Sequence, residues 1–265
     1  MGTVRQLVLP PITDPTVHAQ IDRLARRYLD AGGLGMEIMA MIGNSAEGLI
    51  DRLPVFLHKR LDSVTRAALA RAFTAASRSR RVVRDRGDWF NRVASTVSGA
   101  AGGAGGLAGA LVELPFSITL LLRAMLDIAA EHGLDPDSEE VRMECLRIFA
   151  NAGPMAEDDG AEWGLLAARL SITGQTVQGL ISKVAPKLSI SLGQKMAVQA
   201  APVFGAVVGA SINYTFARFY QEIARIHFGI MRLSRETGIP QEALTEALRL
   251  AIERLDGRPG QRRRG

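Results

Sequence analysis

The sequence predicts an all-α protein: a single multi-helix domain in which two Gly-rich apolar helices pack together. Three observations predict it. Apolar residues make up 47% of the 265 residues and aromatic residues only 5%, so the apolarity comes from Ala, Leu, Ile, Val and Gly, a helix-forming composition. Apolar positions recur at three- and four-residue intervals, and few stretches read as strands. Two long stretches, 93–122 and 196–217, hold one charged residue between them, Glu113, and place small residues four apart, the spacing that lets helix backbones approach closely.

The elements follow in order. Residues 1–13 read as an N-terminal extension. Their four-residue apolar run, which ends at Pro10-Pro11, is too short for a secretion signal, and Gln6 breaks the myristoylation pattern. The expected location is therefore the cytoplasm or the cytoplasmic face of the inner membrane. Asp14 as N-cap and Pro15 at the first position open a helix. Val17, Ile21, Leu24 and Tyr28 form its apolar face, and Gly32-Gly33 is expected to stop it. A second helix is expected over 36–53, ahead of Pro54, and a third over 55–84.

The third helix is basic. Residues 59–86 hold Lys59 and eight arginines against Asp62 and Asp85, a local charge of +7 in a chain whose net charge is +5. Arg78, Arg80, Arg81 and Arg84 are its densest part. Such clustering attracts phosphate; a solvated helix face is the alternative.

The first apolar stretch then places six glycines, from Gly99 to Gly109, within eleven positions. In water each would cost a lone helix about 1 kcal/mol relative to Ala, so a second backbone or lipid must pack on them. The candidate helix-pairing or membrane-facing positions are Gly99, Gly103, Gly106 and Gly109. Their expected counterpart is the second stretch, where Ala197, Ala201, Gly205, Gly209 and Asn213 recur every four residues beyond which Phe216, Phe219, Ile223 and Ile226 continue the helix.

Between them, Ile118, Leu121, Leu122, Met125 and Ile128 mark a strong helix ending at His132-Gly133. Residues 134–138 form a turn, and Ser138 caps the next helix through Glu139-Glu140. Residues 157–159 are acidic and loop-like, and 163–191 are moderately helical. A terminal helix starts near Pro240. The helical domain spans 14–256, and 257–265 is a basic tail expected to be disordered.

Catalytic motifs are absent. The single Cys145 lies in an apolar pattern with Val141, Ile148 and Phe149 and reads as a core residue. Residues 103–108 match a loose dinucleotide fingerprint, but no buried strand precedes them. No Gly-Lys-Ser/Thr and no Gly-x-Ser-x-Gly occurs, and the four histidines (18, 58, 132 and 227) lack ligand spacing and read as solvated or capping residues. No cofactor and no metal are expected. One acid stands out: Glu113, the lone charge between Arg92 and Arg123. In apolar surroundings it must find a partner or take a proton. Pro115 is expected to break or start a helix there and offer free backbone N–H groups; Lys195, Asn213 and Arg123 are the side-chain candidates.

These features resemble the EcsC family in their order: Gly102, Gly103, Gly105, Gly106 and Gly109, then Glu113-Leu114-Pro115, then His132-Gly133-Leu134-Asp135-Pro136, then Pro202, Gly205, Gly209 and Asn213. The likeness covers about residues 15–235, with Glu113 where the family usually has Asp and His132 where it usually has an aromatic. The resemblance implies a bacterial, helical, membrane-linked accessory protein, because the family is named for a protein encoded beside an ABC transporter.

The function expected is thus that of a non-enzymatic, membrane-associated accessory protein binding anionic lipid, a membrane transport partner, or both. A soluble helical enzyme of hydrolase type with Glu113 as its acid or base is the runner-up, and a wholly soluble bundle the third reading. Nucleic acid is not expected as a partner, and the oligomeric state is left open.

Overall fold

The computed structural model describes residues 12–42, 55–82, 92, 94–97, 106–151, 177, 179–186 and 205–257. Nearly all of these are helical, and none lies in a strand. The main helices are α1 (Pro15–Ile42), α2 (Val55–Val82), α3 (Gly106–Glu131), α4 (Glu139–Asn151), α5 (Gly205–Thr237) and α6 (Gln241–Asp256).

α5 is the hub, packing against α1, α3, α4 and α6. α3 lies between α5 and α2 and also meets α4. The core is continuous across them: Ile21 and Ala25 of α1, Leu69 and Phe73 of α2, Ile118, Leu122 and Met125 of α3, and Phe149 of α4 are buried around Tyr220 and Phe228 of α5. The Tyr220 ring sits edge-on to Phe149 at 5.1 Å and to Phe219 at 5.5 Å between centroids, a geometry favoured by the ring quadrupoles. Burial of its hydroxyl raises the Tyr220 pKa.

Local chemistry explains the ends. The Asp14 carboxylate accepts from the Thr16 N–H at 2.8 Å, and this contact and the Thr16 hydroxyl hold its pKa below the ordinary value. Gly133 has φ 72°, so the chain can turn out of α3. Its N–H donates to the Ala130 carbonyl at 2.9 Å, and the Leu134 N–H to that of Ala129 at 3.0 Å. That pair of bonds is a Schellman stop, closed by burial of Leu134. Ser138 then accepts from the Val141 N–H at 3.2 Å and opens α4.

Two expectations about breaks are corrected. Gly32-Gly33 does not stop the first helix, which runs on to Ile42. A glycine stop needs a left-handed residue, and neither glycine has positive φ. Pro115 likewise lies inside α3, nine residues beyond the helix start at Gly106, rather than at a break. Residues 43–54, 157–176, 187–204 and the basic tail from 258 lie outside the described residues.

Candidate functional site

The structure brings Glu113 and Asn213 together. Glu113 is buried in α3, one turn before Ser117, and Asn213 is buried in α5. The Asn213 side-chain amide donates to Glu113 Oε1 at 2.9 Å and to the Ser95 carbonyl at 2.9 Å. Ser117 donates its hydroxyl proton to the same Glu113 oxygen. The result is a buried polar node joining α3, α5 and the helical residues 94–97. Hydrogen bonds to a carboxylate are each worth about 1.5–3 kcal/mol, so the node fixes the register of the two apolar helices.

The other partners considered for Glu113 fall elsewhere. Lys195 lies outside the described residues. Arg123 is ten residues further along α3, about 15 Å by the helical rise. It is buried there, donating to Ser79 Oγ of α2 at 2.7 Å, with Asp127 at 3.6 Å from its Nε. The free backbone N–H groups expected near Pro115 are not the source of Glu113's contacts either, because the helix is continuous through it.

Gly106 and Gly109 fall at the start of α3, and Gly205 and Gly209 at the start of α5. The two helices pack on each other, but the surroundings of these four glycines lie outside what is described, as do Gly99 and Gly103 altogether. On α2, Leu69, Ala72, Phe73 and Ala76 are buried, while Arg71 and Arg78 are exposed on the opposite side. Arg80 and Arg81 lie on α2 with side chains outside the description, and Arg84 lies beyond it.

Three large apolar side chains near the node residues in sequence are exposed. Val97 is 63% exposed, Phe116 51% and Tyr214 40%. Each lies within two residues of Ser95, Ser117 or Asn213 in the chain. The rest of α3 is different: Leu114, Ile118, Leu122, Met125, Leu126 and Ala129 are enclosed by protein. No helix among the described residues is long and apolar enough to cross a membrane.

A second buried carboxylate escaped the sequence reading. Glu144 of α4 accepts from His227 Nε2 of α5 at 2.6 Å and from Arg147 at 2.5 Å. His227 is thus a buried, paired residue rather than a solvated or capping one, which corrects that expectation. Its partner is 83 positions away, and no local spacing reveals it. Ser117, by contrast, was readable as the residue one helical turn after Glu113. Cys145 is fully buried, and desolvation raises the pKa of its thiol, so it sits as a small apolar residue. Among the described residues no cluster of three His, Cys, Asp or Glu is placed to hold a metal ion.

Comparison with known proteins places these features. The family model described as the EcsC protein family matches residues 61–233, which include most of α2, all of α3 and α4, the Glu113 node and most of α5. No curated protein and no solved structure matches the chain.

Proposed function

Since the chain belongs to the EcsC protein family, we propose that it is a non-enzymatic accessory protein that works against the cytoplasmic face of a membrane, binding anionic lipid or a membrane transport partner there. The observation that carries the reading is the exposure of three large apolar side chains, Val97, Phe116 and Tyr214, each within two residues of a member of the buried Glu113 node. Exposed aromatic and aliphatic side chains suit an interface that is part apolar and part polar. Arg71 and Arg78, exposed on α2, supply the positive charge that an anionic surface attracts. The apolar length of α3 is already used in packing against α2 and α5, so contact by side chains at its start fits better than burial of the whole helix in lipid.

The same geometry speaks against Glu113 as an acid–base catalyst. One carboxylate oxygen already receives Ser117 and Asn213, and the buried node reads as a fixed anchor between helices. Two measurements test the reading. Membrane fractions washed with carbonate should release the protein, and vesicles with anionic lipid should float it while neutral vesicles do so weakly. Exchanging Val97, Phe116 and Tyr214 for Ser should weaken flotation without unfolding, and charge reversal at Arg78, Arg80, Arg81 and Arg84 should remove most of it and flatten what salt dependence remains. Unchanged flotation of both variants would refute the proposal.

A further inference from the structure

On the other side of the hub helix, α1 and α5 part to leave a groove of about 790 Å³, within the size range of small-molecule sites. Six arginines line it: Arg23, Arg26 and Arg27 from α1, and Arg218, Arg225 and Arg232 from α5. Three carboxylates share the lining, Asp30, Glu131 and Glu222, so six positive charges face three negative ones. Glu222 is already engaged, by Arg27 at 2.7 Å and Arg225 at 3.3 Å. Arg23, Arg26 and Arg218 are exposed and have no ion-pair partner among the described residues.

Like charges do not gather in a concave seam to hold it closed. The seam is held by packing: a Cβ on Gly229 would come within 2.9 Å of the Leu24 side chain, so the absent side chain sets how near α1 comes to α5. The arginines then stand along the rim of a gap whose width is fixed by that contact. Their mutual effect is visible within the groove. Arg225 is lowered to about 10 by burial and by the like charge of Arg27. His132, at the end of α3, is lowered by burial and by the charges of Arg232 and Arg27. A site with surplus positive potential and planar, bidentate donors on two walls is complementary to phosphate oxygens.

We propose that the α1–α5 groove binds a phosphate-bearing anion of at least two negative charges, gripped by Arg23 and Arg26 from one wall and Arg218 from the other. The anion is either a soluble polyphosphate compound or the headgroup of an anionic lipid; both present the same oxygens. The site is separate from the arginines of α2, and it stands whether or not the membrane reading does.

The test uses the full-length protein and inorganic pyrophosphate in titration calorimetry. Saturable binding that weakens with salt is expected, with affinity falling about tenfold or more in an R23Q/R26Q/R218Q variant and unchanged in Arg235→Gln, which lies outside the groove. All three exchanged positions are exposed, and circular dichroism checks that the variant keeps its helices. A second readout is the His132 imidazole, followed by NMR as pH is varied with and without pyrophosphate. Arg27 from α1, Arg232 from α5 and the neighbouring Glu131 face that ring's surroundings, and a bound anion should offset the two arginines and move the titration upward.

Vesicles containing cardiolipin, whose headgroup carries two phosphates, identify the source. If pyrophosphate displaces the protein from them and the triple variant fails to bind, the natural anion is a lipid headgroup. If pyrophosphate binds while vesicle binding is absent or indifferent to it, the anion is soluble. The absence of saturable binding to either probe, or equal binding by the triple variant, overturns the proposal.

Discussion

The two buried glutamates solve the same problem in different ways. Glu113 of α3 and Glu144 of α4 both meet α5, at Asn213 and His227, fourteen residues or about 21 Å apart along that helix. Glu113 is met by an amide and a hydroxyl, groups whose charge does not change over the physiological pH range. Glu144 is met by a guanidinium and an imidazole, both able to carry positive charge. The first arrangement needs an acceptor at a given place; the second needs a negative charge. The difference separates shape from charge as the cause of helix register.

The largest effect is expected at the charged site. Glu144→Leu removes the carboxylate that His227 and Arg147 share, and losing one partner of a buried pair costs about 3–5 kcal/mol. Denaturant unfolding followed by circular dichroism should show it as a lower midpoint with an unchanged slope. Glu144→Gln should recover little, because the amide brings no charge. Recovery of most of the stability by Gln would show that hydrogen-bond geometry matters at Glu144 as well, and the contrast between the two sites would vanish.

At Glu113 the order reverses. Glu113→Leu deprives the buried Asn213 amide and Ser117 hydroxyl of their acceptor, for a loss of about 1–3 kcal/mol. Glu113→Gln keeps an acceptor oxygen and should keep part of the stability. If Gln and Leu are equally damaging in the same unfolding experiment, the carboxylate's charge is required, and the node resembles the one at Glu144.

Packing alone can be tested close to the Glu144 site. Gly229 is two residues beyond His227 but faces α1, where Leu24 leaves 2.9 Å for a Cβ. Gly229→Leu should cost about 1–3 kcal/mol by overpacking. In Gly229→Ala the methyl of Leu24 must move, while helix propensity improves by about 1 kcal/mol, so the net change should fall within about 1 kcal/mol of zero. Thermal unfolding of the two variants beside Glu144→Gln would show whether the middle of α5 is more sensitive to volume or to charge.

How much of this was legible in the sequence depended on distance along the chain. The Gly133 stop, the Ser138 cap and the terminal helix are local, written in the residues that make them. Asn213 could be named beside Glu113 because it is the polar end of the small-residue ridge and Glu113 is the lone charge of the other apolar stretch. Pairing two exceptions requires no register to be known. The continuation of α1 through Gly32-Gly33 was not legible, since glycine only permits a stop, and whether the chain takes it is decided by what the helix packs on. Nor was the arginine groove: its walls come from residues near 25 and near 225, and each arginine alone looks like one more solvated charge. The Glu144–His227 pair is hidden for the same reason.

The smallest effect concerns the second histidine of the contrast. His227 faces a carboxylate, whereas His132 faces the arginine groove, with its pKa lowered by burial and by Arg232 and Arg27 despite a hydrogen bond to the Ile128 carbonyl. A histidine harder to protonate in the folded than in the unfolded chain binds fewer protons when folded. Its contribution to stability is complete above the unfolded pKa near 6.5 and is lost as pH falls through the folded value. His132 is only about half buried, so solvent screens the two arginines and the loss is modest. In His132→Asn that part of the acid-side decline should disappear, leaving a shallower fall in melting temperature below about pH 6.5. With pyrophosphate present the parent protein should come to resemble the variant, because an anion in the groove removes the field that depresses the imidazole. Parallel pH curves for parent and variant, with and without the anion, would mean that the arginines are too well solvated to act on His132, and that the α1–α5 groove holds less potential than its six guanidinium groups suggest.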